Sequence, residues 1–159
     1  MVSSARLLPF ISISLLLLAD CFLFSGSYPA PCLGLIAMIY WTLYRPDLIQ
    51  IYLIISLGIM VDVIQGYSVW VHTFTFLLIN FLSTSQFTFF YRKPFYFIWV
   101  GVAMIVLIYY SIISSYRGLL LHSNLDLFSL MASFLLTVFC IPIVFRAMLY
   151  CHRQIHERV

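Results

Sequence analysis

Residues 40–66, YWTLYRPDLIQIYLIISLGIMVDVIQG, constrain this chain more than any other stretch. They read as the end of one apolar helix, a turn at Arg45-Pro46-Asp47, and a second apolar helix carrying Gly58, Asp62 and Gly66 at intervals of four. Steps of four advance about 40° beyond a full helical turn, so the three lie along one stripe. Glycine admits a neighbouring backbone, and a carboxylate between two glycines is ill suited to face lipid. The pattern predicts a helix built to be packed against another.

Composition fixes the surroundings of that helix. Apolar types make up 64% of the 159 residues and charged types 8%, with a mean hydropathy of +1.09. Soluble domains carry roughly a quarter charged residues, so this chain is too poor in charge to solvate its own surface. The expectation is an all-α integral membrane protein, one transmembrane domain over 1–159 with six helices at about 7–24, 31–44, 48–64, 69–90, 95–115 and 127–150. The run 7–24 follows Arg6 and ends near Leu18-Ala19-Asp20-Cys21, which imitates a lipoprotein cleavage box. Asp20 is not the small residue such a box needs, and the chain beyond is wholly hydrophobic, so the run reads as a first span. Two prolines and two serines break the chain at 25–31, and Pro142 predicts a kink in the sixth helix.

Basic residues set the orientation. Alternate connections gather Arg6, Arg45, Arg92, Lys93, Arg146, Arg153 and Arg158 on one side and Arg117 on the other. Lys and Arg accumulate on the cytoplasmic side, which predicts cytoplasmic termini and a multi-pass membrane protein.

Candidates for chemistry are few. Asp20 and Asp62 fall at membrane depth toward the outer ends of their helices, where a charge is costly unless paired or hydrated. Each is a functional candidate unless it is wetted at the interface or meets Arg117 in an outer-side polar cluster. Cys21, Cys32, Cys140 and Cys151 lack CxxC spacing and read as small buried hydrophobes, although Cys21 and Cys32 both flank the first outer connection. His152 and His156 stand one turn apart near Glu157, the makings of a solvated basic tail rather than a metal site. His72 and His122 read as isolated. Nucleophile elbows, HExxH and phosphate-binding glycine loops do not occur, and the scattered basic residues do not suit nucleic acid. No cofactor or metal is implied.

Tyr40-Trp41-x-Leu43-x-x-Pro46 followed by Gly58-x-x-x-Asp62-x-x-x-Gly66 resembles the core pattern of the MreD family of bacterial rod shape-determining membrane proteins. The likeness is strongest over residues 31–82. It departs after Gly66 and at Ile141-Pro142, where a Trp-Pro is typical. The resemblance implies a non-enzymatic scaffold of the cell-elongation machinery that binds an MreC-like membrane protein. Through that partner it would link the MreB filament to the wall-synthesising glycosyltransferase and transpeptidase pair. It also implies a fold similar to the substrate-binding subunits of vitamin (ECF-type) transporters. The alternative function is therefore a small-molecule-binding membrane subunit of an uptake transporter of that type.

Overall fold

A computed structural model of the protein describes residues 2–23, 31–66, 68, 70–90, 94–119 and 127–156, with side chains for 9–22, 31–46, 48–66, 68, 70–85, 94–119 and 127–150. The break at 25–30, the basic turn Arg92-Lys93, His122 and the tail side chains from Cys151 onward lie outside those residues. Among the described residues there is no strand. Six α-helices follow one another: α1 (Val2–Leu23), α2 (Leu33–Tyr44), α3 (Ile51–Gln65), α4 (Val71–Phe90), α5 (Phe95–Leu119) and α6 (Leu127–His156). A 3-10 turn at Pro46–Leu48 joins α2 to α3, with proline in its first position, where the missing N–H costs nothing. That turn is why α3 begins three residues later than the apolar run from Leu48 suggests.

Among the described residues two helices, α5 and α6, are long and apolar enough to cross a membrane, and the apolar stretches described in α1 to α4 are shorter. The shortest helix is also the most enclosed. At 1.5 Å per residue the 12 residues of α2 span about 18 Å, well under the ~30 Å hydrocarbon core of a bilayer. Yet every residue from Gly34 to Leu43 is buried. Helix α2 packs against α1, α4, α5 and α6 and forms the axis of the bundle. An all-round apolar sequence suits an all-round apolar environment.

The helices around it are one-sided. On α3 the buried residues are Ile54, Leu57, Gly58, Val61 and Asp62, and on α5 they are Gly101, Val102, Ile105, Val106 and Tyr109. Both sets follow the three-four spacing of a single helical face. The opposite faces are apolar as well. Ile11, Leu15 and Phe22 of α1, and Met131, Phe139 and Ile143 of α6, are all exposed.

Pro142 sits inside α6 and has no N–H for the carbonyl of Val138, its partner four residues earlier. The Trp99 indole of α5 supplies the missing donor: its Nε1 donates to Val138 O at 3.1 Å. A break in one helix thus becomes a bond between two. Trp41 is held in a comparable way. Its Nε1 donates to Ser12 Oγ at 3.0 Å, and that hydroxyl donates to Pro9 O.

Candidate functional site

The residues singled out by sequence separate into two groups. Tyr40, Trp41 and Leu43 are buried in the bundle core. The Tyr40 ring meets Trp41 edge-on at 5.7 Å, stacks on Tyr44 at 4.7 Å, and meets Phe145 of α6 edge-on at 5.2 Å. With Pro46 opening the 3-10 turn, this half of the motif anchors one end of α2.

The acidic half lies at the opposite end of α2, and the two aspartates do the same thing. Helix α2 begins at Pro31-Cys32-Leu33, and Cys32 at its N-cap makes no side-chain capping bond. Helix α4 begins at Trp70-Val71, a pair with no side-chain oxygen to offer. The first N–H groups of a helix need an acceptor, and the helix dipole favours an anion there. In each case an aspartate from the end of the preceding helix fills the role. Asp20 Oδ2 accepts from Gly34 N, the second residue of α2, at 2.8 Å. Asp62 Oδ1 accepts from His72 N, the second residue of α4, at 3.0 Å. The α1–α2 and α3–α4 hairpins are therefore closed by one device, a carboxylate handed from one helix to the start of the next.

Asp62 has a second bond to the same residue. His72 Nδ1 lies 2.7 Å from Asp62 Oδ1, and the side chains are 1% and 0% exposed. That geometry overturns two sequence readings of Asp62: it is neither wet nor paired with Arg117, which is exposed in the last turn of α5. The expected cluster of Asp20, Asp62 and Arg117 does not form, because each carboxylate is committed to a helix start inside the bundle. His72, read as isolated, is the partner that sequence reasoning missed. The uncapped start of α4, ten residues after a buried acid, was the available signal.

Glycine lets each hairpin close. A Cβ on Gly58 would lie 2.5 Å from Thr73 Cα, a backbone atom of α4, and one on Gly34 would lie 2.5 Å from the Leu17 side chain of α1. Gly66 differs. It caps α3 with φ +71°, and nothing lies within 4 Å of where its Cβ would stand. It serves the left-handed backbone that ends the helix, not a packing stripe.

Between the two hairpins runs further polar contact. Tyr110 Oη lies 3.0 Å from Thr137 Oγ1 and 3.4 Å from Cys32 Sγ, while Cys32 N donates to Thr137 Oγ1 at 3.2 Å. Tyr109 lies beside the His72 ring at 6.3 Å between centroids and beside Tyr110 at 5.5 Å. Cys21 and Cys32 are free thiols, with Cys21 bonded to Gln65 rather than facing Cys32. A carboxylate–imidazole pair is the orienting half of an acid–base site. Here both side chains are buried, and the carboxylate also holds the first turn of α4. Among the described residues no group of three metal-ligating side chains occurs. No family model, curated protein or solved structure matches the chain.

Proposed function

We propose that the protein is a multi-pass membrane scaffold of the MreD type, non-enzymatic, which binds an MreC-like bitopic partner and through it serves the cell-elongation machinery. The observation that carries this reading is the occupied axis: α2 is buried from Gly34 to Leu43, and one oxygen of each aspartate closes a hairpin. A molecule so arranged offers its outer faces to partners. The rival, a vitamin-type binding subunit, would use a cavity near Asp20, Asp62 and Trp70, where both carboxylates accept from helix starts instead. The apolar outward residues of α1, α5 and α6 support insertion of the whole bundle, since soluble monomers rarely expose contiguous apolar patches beyond a few hundred Å². The short α2 then rests within the bilayer's depth, shielded from lipid by its neighbours.

Co-expression with the MreC-like protein of the same genome tests the assignment. Detergent-solubilised tagged protein is expected to retain that partner through affinity purification, and depletion of the protein is expected to turn rod cells round. Failure to co-purify together with unchanged cell shape would remove the scaffold reading.

A further inference from the structure

Arg146 occupies an awkward place. It is the single charged residue in the apolar run Leu127–Tyr150 of α6, it is exposed, and no described residue pairs with it. Four residues, about 6 Å of helix, separate it from the end of that run. A guanidinium at that depth on an outward helix face costs a few kcal/mol unless its long side chain reaches the interface, where water or an anion can answer it.

Beside it lies an open groove of about 330 Å³ between the start of α5 and the middle of α6, lined by Phe95, Pro142, Ile143, Phe145, Arg146 and Leu149. That volume is within the range of small-ligand sites. Five of the six lining residues are apolar, and the buried Phe145 forms its floor. The groove therefore combines an apolar trough with one cation at its rim, and the sequence places Arg92-Lys93 just ahead of Phe95.

We infer that this groove binds an anionic glycerophospholipid, one acyl chain lying in the trough and the phosphate on the Arg146 guanidinium. The chemistry matches at both ends: a hydrocarbon chain fits an apolar wall, and a planar, permanently charged fork suits a phosphodiester. A lipid so held fills the cleft beside the Pro142 break and neutralises the buried end of the positive inner face. The inference rests on the membrane reading of α6, and not on the shape-machinery assignment.

The test uses the full chain purified in detergent and titrated with phosphatidylglycerol or phosphatidylcholine, with lipid adducts counted by native mass spectrometry. The wild type is expected to take phosphatidylglycerol about five-fold more tightly than phosphatidylcholine. Arg146→Gln should abolish that preference, Arg146→Lys should keep part of it, and Ile143→Trp should reduce binding of both lipids by filling the trough. Equal binding of the two lipids by the wild type, or an undiminished preference in Arg146→Gln, overturns the site. If Ile143→Trp expels the MreC-like partner while lipid binding is unchanged, the groove belongs to that partner's helix and the inference fails. Recovery of the protein from the aqueous fraction without detergent would remove the membrane reading itself, which separates that failure from failure of the site.

Discussion

At the scale of single residues, the Asp62–His72 pair decides what the acid in α3 is for. His72→Leu leaves the buried Asp62 carboxylate with only the backbone N–H of residue 72 to answer it; breaking a buried pair costs about 3 kcal/mol or more, whereas replacing both members with apolar residues is often far gentler. His72→Leu is therefore expected to destabilise the protein more than the double variant Asp62→Leu/His72→Leu does. The coupling, read by thermal or denaturant unfolding in detergent, is expected at about 1–3 kcal/mol. Strictly additive losses would mean the 2.7 Å contact contributes nothing. The same reasoning explains why the histidine was hard to see. A lone His in an apolar run carries no periodic signature, and its importance lies in the carboxylate brought to it across a turn.

At the scale of helices, the α3–α4 hairpin holds two glycines with different jobs. Gly58→Ala places a methyl group against the backbone of Thr73, so α4 must move away. A loss of about 1–3 kcal/mol is expected from such overpacking. Gly66→Ala meets no neighbour, and its penalty is the left-handed backbone alone, about 1–2 kcal/mol. Asn, which tolerates that conformation, should recover most of it at Gly66 and none at Gly58. Equal responses of the two positions to Asn would refute the distinction. Part of this element was legible beforehand: Gly58 and Asp62, singled out by their spacing, both lie on its buried face beside Ile54, Leu57 and Val61. Gly66 was misread because a four-residue interval continues a stripe on paper, whereas the helix ends at Gln65. The bond from Trp99 to Val138 was illegible for another reason. Pro142 announces an orphaned carbonyl, but nothing local says which helix will supply the donor.

At the scale of the whole molecule, the order of six helices follows the apolar runs, while their inequality does not. Composition treats every run as a span, and a run such as 31–44 looks like a shortened one. Burial reveals it as an axis, because hydrophobicity cannot tell a helix surrounded by lipid from one surrounded by protein. Orientation rests on charge: reporter fusions at Val159 and after Arg45 are expected to report cytoplasm, and one at His122 the opposite side. A cytoplasmic signal at His122 would defeat the six-span arrangement. The enclosed α2 also bears on how the chain is made. Twelve residues are too few to partition into the bilayer alone, and α4, α5 and α6, which enclose α2, leave the ribosome after it. During that interval α2 has α1 as its neighbour, with Gly34 admitting Leu17 and Asp20 gripping the first turn. On the proposed membrane reading, the α1–α2 hairpin is complete before the later helices are made, so synthesis order matches the order in which the bundle is fastened.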